Sequence, residues 1–201
     1  MKLLLEHGGV NPNFLNSFGF TPVTSAFVEG HEDVMKLFLL RGDVNLSSQC
    51  PDGLSMLSHA ALRGCEGIVK LLLERGEVDP NLPCKKCRTP LSYASSCGYG
   101  GIVRLLLQRG DVDLNSPDQS ANTPLVYAAR SGSVDIVKLL LERGVGPNLP
   151  DGNGMRALIS AARYGRRDVV KLLLEPVFPT VRGPGGAPRG DCQEPRTGRD
   201  G

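Results

Sequence analysis

The sequence has no tryptophan, and aromatic residues make up only 5% of its 201 positions. So sparse a supply cannot furnish the row of stacked rings that single-stranded nucleic acid requires. Only three histidines occur, His7, His31 and His59, and they are widely separated in the chain. A His-centred catalytic cluster is therefore not expected. Nor is there an excess of one charge: the net charge of +2 lacks the strong basic bias of a nucleic-acid binder. No run of about 18 apolar residues is present, which excludes a helical membrane span from the expectation. The opening MKLLLEHGG holds a run of just three leucines, shorter than a secretory core. The six cysteines stand at irregular positions, and without a secretory signal they read as reduced thiols of a cytoplasmic or nuclear protein.

What the chain does have is repetition. KLLLEHG begins at Lys2, KLFLLRG at Lys36, KLLLERG at Lys70, RLLLQRG at Arg104, KLLLERG at Lys138 and KLLLEP at Lys171. Successive starts lie 34, 34, 34, 34 and 33 residues apart. A period of this size marks stacked supersecondary units that bury their apolar faces against one another.

Residues 64–98 illustrate one period. Ile68, Val69, Leu71, Leu72 and Leu73 are too densely apolar for a helix with one wet side, and they fit a helix covered by neighbours. Gly76 fits a left-handed cap, with Arg75 placed favourably against the helix dipole. Val78-Asp-Pro-Asn81 is a turn, and Thr89-Pro90 then supplies a cap and a first-turn proline for a new helix ending at Gly98. The same punctuation recurs at Thr21-Pro22, Ser55-Met56 and Thr123-Pro124, with Arg156-Ala157 as its last, uncapped version. Gly30, Gly64, Gly98, Gly132 and Gly165 divide the paired helices, and Gly42, Gly76, Gly110 and Gly144 are expected to close the second helices. Ala26, Ala60, Ala94, Ala128 and Ala161 occupy one fixed position where first helices would approach closely.

The segment TPLVYAARSGSVDIVKLLLERG, residues 123–144, resembles the ankyrin repeat, and the likeness runs from residue 1 to about 175. The resemblance implies an all-α solenoid of helix-turn-helix units with beta-turn fingers. The segment Gly76-Glu-Val-Asp-Pro-Asn81 is one residue longer than the usual form and is similar to that of long ankyrin arrays in fungal proteins. The family's histidine after Thr-Pro-Leu is replaced by Thr24, Ser58, Ser92, Val126 and Ile159, so its hydrogen bonds between units are expected to be weakened or absent. The division expected is a partial unit at 1–17 with only a second helix, then units at 18–51, 52–85, 86–119 and 120–152. A unit lacking its end follows at 153–175, and 176–201 is read as a disordered Pro/Gly/Arg-rich tail. Since Met1 falls inside a second helix, the chain reads as a piece of a longer array.

Catalytic and metal motifs are weak. Cys84-Lys-Lys-Cys87 is a single CxxC, whereas a zinc site needs four converging ligands, so no metal site and no cofactor are expected. His31-Glu32 begins HExxH, but Met35 stands in place of the second histidine. The glycine-rich stretches at 152–154 and 183–186 do not lie between a strand and a helix, as a phosphate loop must. The Asn45-Leu-Ser47 sequon and the PxxP at 176–179 carry no argument.

Surface is what remains. The family resemblance implies that partners meet the fingers and first helices, on the concave side. By position the candidate partner-binding residues are Phe18, Phe20, Leu54, Arg63, Lys85, Lys86, Arg88, Asn122, Arg130, Met155, Arg163 and Tyr164. Basic side chains predominate on this face, suiting an acidic and extended protein segment; solvated loop charges are the plainer reading. The expected function is a non-enzymatic scaffold for a protein partner. The alternative is the sensor array of a larger multidomain signalling protein, such as an NTPase with C-terminal ankyrin repeats. Membrane and nucleic acid are not expected as partners.

Overall fold

The computed structural model describes residues 11–47, 49–50, 52–145 and 157–174. Among these, ten helices form five antiparallel pairs: α1 (Pro22–Glu29) with α2 (Glu32–Leu39), α3 (Met56–Arg63) with α4 (Glu66–Arg75), α5 (Pro90–Cys97) with α6 (Gly100–Leu107), α7 (Pro124–Ser131) with α8 (Val134–Glu142), and α9 (Ala157–Arg163) with α10 (Arg167–Leu174). The only extended pairing among the described residues is an isolated bridge between Gln49 and Ser55. The chain is therefore an all-α stack of helix-turn-helix units. The helix expected within the first seventeen residues falls largely outside the described residues. So do Arg156 and the tail from Pro176.

The first helices begin as the sequence dictates. Thr21, Ser55, Thr89 and Thr123 sit in extended backbone, and each side chain accepts from the backbone N–H three residues on. Each such cap stabilises its helix by about 1 kcal/mol. The helices stop at glycines in the left-handed region, where a side chain would be strained. At Gly64 (φ +78°) a second constraint applies, because a Cβ would sit 2.8 Å from the Tyr99 ring of the next unit.

The second helices depart from expectation. Gly76 does cap α4 at φ +70°, but α2 ends at Leu39 and α6 at Leu107, short of Gly42 and Gly110. The arginine before each of Gly76, Gly110 and Gly144 reaches back to the preceding unit. Arg75 donates to the carbonyls of Leu39 (2.8 Å) and Arg41 (2.9 Å) of the preceding unit. Arg109 likewise donates to Leu73 at 3.3 Å, and Arg143 to Leu107. Carbonyls left over at the ends of α2, α4 and α6 are thus satisfied by the next repeat, alongside a left-handed glycine at α4 and without one at α2 and α6.

Asparagine supplies a second stitch. Asn81 Nδ2 donates to the carbonyl of Asp111 (2.6 Å), and its Oδ1 accepts from the N–H of Asp113 (2.7 Å). Asn13 repeats the pattern with Asp43 (2.6 Å) and Asn45 (2.7 Å). Bonds between units are therefore present without the family's histidine; its replacements Thr24, Ser58 and Ser92 bond within their own caps instead.

One core runs through the stack, with Phe27, Met35, Leu57, Ile68, Leu72, Leu91, Ile102, Leu106, Leu125, Ile136 and Leu140 wholly buried. Ala26, Ala60, Ala94, Ala128 and Ala161 are all buried, as their fixed position requires. From α3 onward these small side chains let first helices pack more closely than second helices do. Tighter spacing on one side of a stack curves it toward that side, which makes the finger and first-helix surface the inner one.

Candidate partner-binding surface

In the third and fourth units the finger folds back onto its first helix through a buried latch. Cys84 Sγ lies 3.2 Å from Tyr93 Oη, and at the equivalent place Asp118 accepts a hydrogen bond from Tyr127 Oη. Asp118 also accepts from the N–H groups of Ser120 (2.9 Å) and Asn122 (2.8 Å) and from the Asn122 side chain (3.2 Å). Burial alone would raise its pKa, but the bonds from Tyr127, Asn122 and Ser120 prevail and hold it below the usual carboxyl range. Burial first, and then the bond to Asp118, push the Tyr127 phenol up to about 12.

The latch tyrosines are joined by arginines. The Arg88 guanidinium lies 4.5 Å from the Tyr127 ring centre and 5.7 Å from that of Tyr93, and its Nε is 3.6 Å from Asp118. Arg130 stands 5.9 Å from both the Tyr127 and Tyr164 rings. The order Tyr93, Arg88, Tyr127, Arg130, Tyr164 is a ladder of cation–π contacts crossing α5, α7 and α9, each worth about 0.5–1 kcal/mol where exposed. Its backbone is tied at two places: Gln119 Nε2 donates to the Lys85 carbonyl (2.8 Å), and Arg166 Nε to the Arg130 carbonyl (2.8 Å).

The residues singled out by sequence fall into three groups. Lys85, Lys86, Arg63, Arg163 and Tyr164 are exposed, as is Phe18 at 76%. Arg63 is anchored by donation to the Val28 carbonyl of the preceding unit. Arg88 and Arg130 are half-buried in the ladder, and Phe20 is half-buried in the first finger. Two expectations need correction. Leu54, at 7% exposure, belongs to the core because the finger folds over it, and Asn122, at 5%, is turned inward onto Asp118. Met155 lies outside the described residues.

Sequence reasoning passed over Phe14 and Leu15, which are exposed at 68% and 57% beside Phe18. Their signal was an apolar pair inside a turn segment, where periodicity has nothing to say. Cys50, Cys65, Cys84 and Cys97 are free thiols, the first and third of them buried.

Two open clefts lie between second helices rather than on this surface. One of about 370 Å³ is lined by Leu39, Leu40, Leu71 and Arg75. The other, about 500 Å³, is lined by Gly98, Gly101, Gly132 and neighbours. No described helix is long and apolar enough to cross a membrane. The family model described as ankyrin repeats (3 copies) matches residues 38–118 and 111–182. No curated protein matches the chain significantly.

Proposed function

The chain belongs to the ankyrin-repeat family, whose members are in general protein-binding modules, and on that premise we propose that it is a non-catalytic scaffold binding an extended acidic segment of a protein partner. The partner lies across the third to fifth units, over the Tyr–Arg ladder. The observation that carries this reading is the pair Lys85 and Lys86, exposed beside a rigid, half-buried strip of alternating rings and guanidinium groups. The ladder is pre-ordered by Asp118 and by the bonds from Gln119 and Arg166, so docking freezes few side chains. Tyr164, half exposed at the end of the strip, offers the kind of amphipathic ring that anchors interfaces.

The two lysines serve association rate and partner choice more than affinity, since charges at an open surface steer an approaching chain and are screened by salt. Arg88 is excluded from that role by its ion pair with Asp118. The test is selection of random peptides on the immobilised full chain, followed by rate measurements on the winners. Acidic peptides should predominate, and Lys85→Glu with Lys86→Glu should slow their association while leaving the helical circular dichroism unchanged. Winners without acidic bias, or rates indifferent to the double reversal, would refute the assignment.

A further inference from the structure

The finger-to-helix latch takes a different form in the second unit. There the positions filled by Cys84 and Tyr93, or by Asp118 and Tyr127, are held by Cys50 and His59. His59 is 95% buried (5% exposed), and neither ring nitrogen has a hydrogen-bond partner. Burying both nitrogens unmatched opposes folding, and such a group calls for a ligand. The groups facing it are chemically specific. Cys50 Sγ, an Asp52 carboxylate oxygen and an imidazole nitrogen all lie within 4.8 Å of one another, with Cys50 and His59 buried and Asp52 at the surface.

Thiolate, imidazole and carboxylate are the donors zinc takes, at bond lengths of about 2.0–2.3 Å. Tetrahedral geometry at those lengths sets donors roughly 3.3–3.8 Å apart, so closure needs movements on the order of 1 Å. Asp52 is exposed on the finger; one oxygen accepts from the Leu54 N–H (3.1 Å), and the carboxylate has a second oxygen to offer a metal. Its carboxylate and the Cys50 thiolate together balance a divalent charge, so the filled site adds no net charge beside Arg63. We propose that Cys50, Asp52 and His59 form a zinc site that clasps the second finger to α3, doing with a metal what the third and fourth units do with a hydrogen bond. Three protein ligands leave a fourth position for water. The site stands apart from the Tyr–Arg ladder and does not depend on the identity of the protein partner.

The test uses the full chain, reduced and stripped of metal, with Co²⁺ as the probe and Zn²⁺ as the competitor. One Co²⁺ should bind per chain at micromolar concentration, giving a thiolate-to-cobalt charge-transfer band that Zn²⁺ displaces. Cys50→Ser and His59→Tyr should each abolish the band, while Cys84→Ser and Cys97→Ser should leave it intact. His59→Tyr is the decisive variant because it recreates the Cys–Tyr latch of the third unit, which folds. Zn²⁺ should raise the melting temperature of the native chain by several degrees and leave that of His59→Tyr unmoved. A cobalt site that survives His59→Tyr, or the lack of stoichiometric binding by the native chain, would overturn the proposal.

Discussion

Replacing Asp118 by alanine removes the acceptor on which the fourth finger closes. Its side chain is only 7% exposed, and it takes bonds from Ser120, Asn122 and Tyr127 while standing 3.6 Å from Arg88. The backbone N–H of Ser120 lies at an exposed residue and can turn to water. The Tyr127 hydroxyl and the Asn122 amide have no such escape, because both residues are buried, and Arg88 loses its ion pair while it stays over two rings. Breaking a fully buried pair costs about 3–5 kcal/mol, and an exposed one about 0–1. With the Arg88 side chain 32% exposed, the loss should be about 3 kcal/mol, toward the lower end of the buried range. At about 2–4 °C per kcal/mol for a chain of this size, the melting temperature should fall by roughly 6–12 °C. Thermal and urea denaturation followed by circular dichroism at neutral pH measures it. Asp111→Ala, which removes only the exposed partner of Arg109, should shift the midpoint far less. The double variant with Tyr127→Phe should lose less than the sum of the two single losses, because both act on one hydrogen bond. A loss under about 1 kcal/mol, or strict additivity, would refute the latch. The pH dependence follows from the same contacts. The folded pKa of Asp118 lies below the ordinary 3.8, so its contribution is complete above that value and is lost as pH falls through the folded one. Asp118→Asn should flatten that part of the acid-unfolding curve.

Three further outcomes are expected. Arg75→Ala should destabilise the array by about 1–2 kcal/mol, through the freed carbonyls of Leu39 and Arg41, whereas the exposed Arg104→Ala should stay within about 0.5, both read by urea unfolding. Leu54→Ala should cost about 2–4 kcal/mol as a core truncation, while Phe18→Ala at the surface should stay within about 0.5. Lys85→Glu with Lys86→Glu should slow association with an acidic peptide about tenfold at low salt, with the difference shrinking as salt rises, in stopped-flow traces.

The helices were legible because each is written several times over: Thr or Ser before the first helix, glycine after it, and alanine at one fixed site. Repetition averages out local noise, so Ala94 could be placed in the core from the alanines at its equivalent positions. The fingers were less legible. Phe20, Leu54, Arg88, Asn122 and Met155 share one place in the repeat but not one chemistry, and place alone does not say whether a finger folds over its own side chain. It does so for Leu54 and Asn122. The Tyr–Arg ladder was hidden for another reason. Arg88 meets Tyr127 across a unit boundary, and their contact depends on the offset between stacked units, which no single repeat encodes. The arginine of LERG sits by sequence against its own helix dipole, yet across the unit boundary Arg75 also caps the previous unit's helix. The Cys50–His59 pairing is invisible to a motif of CxxC spacing, because the latch joins residues nine apart through a folded finger.

The account turns on which face of the stack receives the partner, and amide hydrogen exchange with and without a selected acidic peptide reads this directly. Binding over the ladder should slow exchange at residues 84–88, 118–123, 130–131 and 163–164, leaving the second helices unchanged. Protection centred instead on the cleft between α2 and α4, around Leu40 and Leu71, would contradict it.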